Sequence, residues 1–303
     1  MLRNGAMALV ATLTLLSCKG GGADMSKGGL ELVYEAAPAG TDDGRAAALA
    51  DSARKIVLAR LAAAKIPAVV RLDGRKLRVG LPAGEGMSRA EDAKKVLGMV
   101  GAFEVREVQD AQFLKELGAG LDEEGPVKVS RDTWSDVNGA PRGCFMVDAA
   151  DEANARKVFP KDKLPSGVDL LQQQGVPGER LVFIAVSAPV LNNESILSVK
   201  AIKDPMGTPV TNLKLTPDGA KKLEEATHRI KGKKLALVLD SVILSTPVVM
   251  TAMDQGELPL PQADVGDRKA RERAADLLAA ALGSGALPAA LTLVEERHVA
   301  KSH

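Results

Sequence analysis

Apolar positions recur at helical spacing in several stretches of the chain, and between them they alternate or run together as strands do. Leu30 to Ala36 reads as a first strand. From about Arg45 to Lys65, the residues Leu49, Ala53, Ile56, Val57, Leu61 and Ala64 form one helical stripe, with Thr41, Asp42 and Asp43 as caps and Pro67 as the stop. Ala68 to Leu72 and Lys76 to Leu81 flank Asp73-Gly74, a strong hairpin signal. Ser88-Arg89-Ala90-Glu91 has capping-box spacing and opens a second helix through Ala93, Val96, Leu97 and Val100, which Gly101 ends. Phe103 to Val108 then alternates as a strand. The order β-α-β-β-α-β predicts a ferredoxin-like base over residues 30–110.

The pattern breaks over 111–180, where Gly118, Gly120, Gly125, Gly139 and Gly143 interrupt scattered charges. This stretch reads as a loop-rich connection held on the base by Trp134 and Phe145, with one short helix from Asp151 to Val158 before Pro160. Regularity returns over 181–288. Leu181 begins a buried strand, and a hairpin of Leu197 to Lys203 and Pro209 to Leu215 follows. Thr216-Pro217 starts a helix with Ala220, Leu223, Ala226, Thr227 and Ile230 on one stripe. Lys234 to Leu239 and Val242 to Val249 make a second hairpin. A loop carries Leu258-Pro259-Leu260-Pro261, and Asp267 opens a last helix that stops at Gly283. Residues 289–303 form a strand and tail, and a closing strand of this kind is expected to return to the first domain. The fold class is α+β: a base, an inserted α+β head, and a C-terminal strand rejoining the base.

Composition narrows the function. A chain of 303 residues accommodates two cores. Five Phe, one Trp and one Tyr leave the cores to aliphatic residues and argue against aromatic platforms for bases or sugars. The formal net charge of +1 gives no reason to expect a nucleic-acid partner. Arg3 and the short apolar run Ala6 to Leu16 have the shape of a targeting segment, ending in Leu15-Leu16-Ser17-Cys18. That ending resembles a bacterial lipobox, so residues 1–18 are expected to be a lipoprotein signal with Cys18 acylated. An ordinary secretory signal with a Cys near its cleavage site is the alternative. Residues 19–29 then form a flexible tether through Gly20, Gly21 and Gly22. Lys19 after Cys18 turns the expectation toward the outer rather than the inner membrane of a bacterial envelope, with the protein facing the periplasm. With Cys18 lipidated, Cys144 is a lone, buried, inert thiol.

Three stretches carry a family resemblance. Arg71 to Val108, RLDGRKLRVGLPAGEGMSRAEDAKKVLGMVGAFEVREV, is similar to the hairpin, helix and closing strand of the first periplasmic domain of SecD, a membrane protein that assists bacterial protein export. Asp218-Gly219-Ala220-Lys221-Lys222-Leu223 and Gly232 to Val248, GKKLALVLDSVILSTPV, resemble the head of that domain, and Gly285 to Val299, GALPAALTLVEERHV, resembles its end. Ser241 departs from the family's glycine, which a looser turn accommodates. The Leu258 to Pro261 loop replaces a glycine-rich one, and the family's transmembrane half is missing from this sequence. The resemblance therefore implies a protein-export role without proton-driven work.

No G-x-S-x-G, H-E-x-x-H, Walker or C-x-x-C pattern occurs, and the histidines are far apart, His228 on a polar helix face. The expectation is no enzyme, no cofactor and no metal, with proteins as partners: exported polypeptide or translocon components, and the membrane only through the lipid. Val242, Leu244, Leu258 and Leu260 are the expected partner-binding surface, by edge pairing and nonpolar contact. For Val242 and Leu244, closure of the head core is the competing role. A scaffold lipoprotein serving an unrelated partner is the alternative function.

Overall fold

The computed structural model describes residues 24–111, 127–175, 180–261 and 266–301. Cys18, Gly118 and Gly120 lie outside these residues. In the base, β1 (Gly29–Glu35) leads into α1 (Asp43–Ala63), capped where the Asp42 carboxylate accepts from the Arg45 amide. The hairpin β2 (Val69–Asp73) and β3 (Lys76–Pro82) turns at Gly74, whose positive φ suits a tight turn. A single helical turn, α2 (Glu85–Ser88), precedes α3 (Ala90–Gly98). The chain's last strand, β14 (Thr292–Val299), lies antiparallel to β1, giving a four-stranded sheet β14-β1-β3-β2. Leu32, Tyr34, Leu77, Val79 and Leu81 on its inner face pack against Val57 and Leu61 of α1 and Val96 and Leu97 of α3.

Two local expectations for the base need correction. The capping box does not form. Because Glu85–Ser88 closes its own turn, Ser88 is already helical and its hydroxyl donates back to the Glu85 carbonyl. Arg89 occupies the cap position of α3 and bonds Asp92 and the carbonyls of Ala64 and Lys65. Nor does Phe103–Val108, here β4, close the base sheet. It crosses to a different sheet, beside β11 (Leu235–Leu239) and β8 (Leu181–Asn192), and β14 takes the place next to β1. The residues explain the exchange. Phe103, Val105 and Val108 are all buried, on two different cores, while β14 is charged and largely exposed, as an edge strand tolerates.

Much of the stretch expected as loop is sheet. β5 (Lys128–Ser135) and β6 (Pro141–Ala149) pair along their full lengths, and α4 (Glu152–Val158), expected from the sequence, precedes β7 (Asp169–Gln173). Their weak alternation reflects partial burial, and so hides the strands from pattern reading. Five strands then close a ring: β4 pairs with β11, β11 with β12 (Val242–Ser245), β12 with β7, β7 with β8, and β8 again with β4. Val108, Ile184, Val186, Ala236, Val238 and Ile243 fill it. Trp134 packs here and not on the base; its indole N–H donates to the Gly232 carbonyl at 2.8 Å and its ring lies under the Lys234 ammonium. Phe145 packs instead with Phe159, Phe183 and their neighbours, on the face of β6–β8–β7 that α4 covers.

A three-stranded sheet, β9 (Ile196–Lys203), β10 (Pro209–Leu215) and β13 (Glu257–Pro261), stands outside the ring. With α5 (Pro217–Arg229) it encloses a core formed with Phe103, Leu235 and Leu237 of the ring wall. The Thr216 hydroxyl caps α5 by accepting from the Gly219 amide, as Thr216-Pro217 predicts. The last helix, α6 (Arg268–Gly283), serves two cores: Leu277, Ala280 and Ala281 in the base, Leu278 and Leu282 in the core beside the ring.

Candidate functional site

Where α3, α6 and the β11–β12 hairpin meet, they leave an open groove of about 750 Å³. Its floor and walls are apolar: Met99, Leu239, Leu244, Ala274, Leu277 and Leu278. The α6 stripe positions the last three, with Asp267 starting the helix by accepting from the Ala270 amide. Leu239 and Leu244 come from the two arms of the hairpin, on either side of a two-residue turn. That turn is tight, contrary to expectation. Asp240 and Ser241 both have left-handed φ, 51° and 66°, a geometry that Asp tolerates better than most residues but that favours glycine at the second position, so Ser241 stands there in a strained backbone conformation.

The rim is charged and largely self-paired. Asp92, only 2% exposed, is gripped by Arg89 at 2.9 Å and by Arg273 of α6 at 2.6 Å, which ties α3 to α6 along one side. Burial pushes the Asp92 carboxyl up, but the bonds from Arg273 and Arg89 outweigh it and hold the group below its ordinary value. Glu91 pairs with Lys94 at 3.0 Å, and Lys94 also reaches Glu296 of β14. Lys95 and Lys269 stand on the rim exposed. An apolar floor with a balanced, water-facing rim can hold a nonpolar segment by burying its surface. Among the described residues no group of His, Cys, Asp and Glu is arranged to hold a metal, and no helix is long and apolar enough to cross a membrane.

The structure separates the four expected surface residues. Leu244 lines the groove and Val242 is half-buried beside the turn. Leu258 and Leu260 are 3% and 0% exposed and do not form a partner surface. Their segment is not a loop but β13, paired among the described residues with β10 alone, so both leucines point inward opposite Leu213 and Thr211 while Pro259 and Pro261 take the outer positions. His228 is exposed on α5, and Cys144 is buried, its thiol pushed up to about 11 by burial and by the nearby Asp132.

Sequence reasoning missed Arg60, fully buried on α1 between Val57 and Leu61. The signal was present: position 60 falls on the apolar stripe that includes 57, 61 and 64. Its guanidinium donates to the carbonyls of Val96, Met99, Val100 and Gly285, at the two places where the chain leaves and re-enters the base. Burial lowers it to about 10, partly offset by the charge of Asp240, so it is a cation at neutral pH.

Comparison with known proteins matches this architecture. Residues 169–289 match the family model described as the SecDF P1 head subdomain. The chain is 36% identical over 111 residues to the protein translocase subunit SecDF of Thermus thermophilus, covering 37% of this chain and 14% of that protein. It is 36% identical over 110 residues to SecD of Acidaminococcus fermentans, covering 36% and 25%. To SecD of Aquifex aeolicus it is 27% identical over 237 residues, 78% of this chain and 36% of that protein. A crystal structure of SecDF in a super-membrane-facing form aligns over 91% of this chain and 31% of that one with a TM-score of 0.57 at 24% identity. A second SecDF structure, described as a membrane component that enhances protein export, aligns over 88% of this chain and 99% of that one with a TM-score of 0.52 at 24% identity. These two likenesses establish the α+β fold. Over residues 169–289 the chain is similar to the SecDF P1 head subdomain, and its matches span about a seventh and a quarter of the length of the first two relatives.

Proposed function

We propose that this protein is an accessory of protein export that holds an extended, apolar stretch of exported polypeptide in the groove between α3, α6 and the β11–β12 hairpin. The reading is supported by the SecD-like domain and, above all, by the groove itself: an open apolar trough lined by Met99, Leu239, Leu244, Leu277 and Leu278. Its contribution is binding, without proton-coupled work of its own. Acylation at Cys18 would tether it to a bacterial envelope membrane, facing the periplasm, at the outer membrane in the reading that Lys19 favours. Components of the translocon are the other partners this reading allows. Val242, beside the groove turn, belongs to the same surface.

The test is a photo-crosslinking residue placed at position 244 in growing cells. It should trap newly exported polypeptide, while the same residue at the buried position 258 should trap none. Export kinetics should slow on deletion of the protein. Adducts with an unrelated envelope protein, and unchanged export, would replace this reading with that of a scaffold. Fatty-acid labelling lost in Cys18→Ser tests the anchor separately.

A further inference from the structure

Between the end of α3 and the start of β4 the chain crosses from the base to the ring through Met99–Ala102. Such a crossing is irregular backbone, and each buried polar group in it needs a partner. Side chains from three separate elements supply most of them. Arg60 donates to the carbonyls of Met99 and Val100. The Asp240 carboxylate accepts from the Val100 amide at 2.9 Å and the Ala102 amide at 2.8 Å, and the Asp240 amide donates to the Ala102 carbonyl. Asn193 grips the same segment from the β8–β9 corner: its side-chain carbonyl accepts from the Phe103 amide and its side-chain amide donates to the Gly101 carbonyl. Gly101 has φ +81°, and a Cβ there would come within 2.7 Å of an Arg60 nitrogen, so the clamp closes only over glycine.

The clamp adjoins the groove. Met99 immediately precedes the clamped amides, and Leu239 immediately precedes Asp240; one lines the helical wall and the other the hairpin wall. The return crossing enters the same joint, because the Leu287 amide donates to the Val100 carbonyl and Gly285 accepts from Arg60. We infer that Asp240 is a positioning residue of the groove: by locking the crossing, with Arg60 and Asn193, it fixes the separation of the two walls. The functional meaning rests on the groove being a binding site, but the positioning itself does not.

The experiment places spin labels at Lys95→Cys on α3 and Gln174→Cys, an exposed residue whose amide is bonded to the hairpin through the Ile243 carbonyl. Cys144 is buried and stays unlabelled, and Cys18 is replaced by serine in every labelled protein. In the otherwise unaltered full chain the distance distribution should be narrow. In Asp240→Asn, which removes one of two acceptors, it should be at least about twice as wide, and amide exchange at Val100 or Ala102 should quicken at least about tenfold, as expected when local protection is lost. Trp134 fluorescence confirms that the variant is folded, and Asn193→Ala, which leaves the turn untouched, should widen the distribution independently. Unchanged distributions in both variants would overturn the inference. A fluorescein-labelled leucine-rich peptide should bind Asp240→Asn at least about fivefold more weakly. If it binds neither protein, the proposed function falls, while the distance measurement still decides the role of Asp240.

Discussion

In the base, β1 has strand partners on both edges along its whole length; one face of its sheet packs on the helices, and the other sets the buried Val33 among charged residues. The other face carries a ladder of ions, Asp73–Arg78–Glu31–Arg297. In the ring, β11 is buried on both faces, Ala236 and Val238 inward and Leu235 and Leu237 outward. The two regions therefore bear different sequence signatures, alternation in one and a continuous apolar run in the other. They also differ in what holds them. The base relies on a strand from the far end of the chain, and the ring on closure. Among the described residues, α6 and the clamped crossing join the two, so they set how independently the regions behave.

The sharpest way to break this division is Arg60→Met. Four carbonyls lose their donor, and stability should fall by about 3–5 kcal/mol, the range for stripping one side from a buried charged interaction. Urea unfolding should be followed by Trp134 fluorescence, which reports only the ring, and by far-UV circular dichroism, which reports both regions. Coincident midpoints are expected in the parent. Midpoints that separate in the variant would show that Arg60 couples the regions; a parent whose midpoints already differ would show that it does not.

Next in size is a pair of leucines. Leu260→Ala removes a fully buried side chain from the core beside the ring and should cost about 2–5 kcal/mol, whereas Leu244→Ala, facing the groove, should cost under about 1 kcal/mol. Equal losses in urea melts would restore Leu244 to the core and remove it from the site. A smaller effect than that of Leu260 concerns Asp92. Its carboxyl is held below the ordinary 3.8, so the stability it contributes is present above that value and is lost as pH falls through the lower, folded one. As pH falls below about 4, the parent's melting temperature should fall more steeply than that of Asp92→Asn, which should lose about 1–3 kcal/mol at neutral pH. Parallel curves would mean that the α3–α6 tie contributes little.

Local rules read from the sequence located the hairpin at Asp73-Gly74, the Thr216 cap, the three long helices and the strand after Pro288, because each is set by neighbours in the chain: a turn glycine, a hydroxyl before proline, a stripe at helical spacing. Resemblance over Arg71 to Val108, Gly232 to Val248 and Gly285 to Val299 pointed to the likeness with SecD that the comparisons found. Tertiary structure decided the rest. Leu258 and Leu260 read as an exposed loop because two prolines break the pattern, and only their place on an edge strand shows both leucines turned inward. Whether Phe103–Val108 or Thr292–Val299 lies beside β1 depends on which strand can bury both faces elsewhere, a competition between segments nearly 200 residues apart. Arg60 and Asp240 acquire their roles only when three distant elements meet at one crossing, because a hydrogen-bond partner is fixed by position in space and not by distance along the chain.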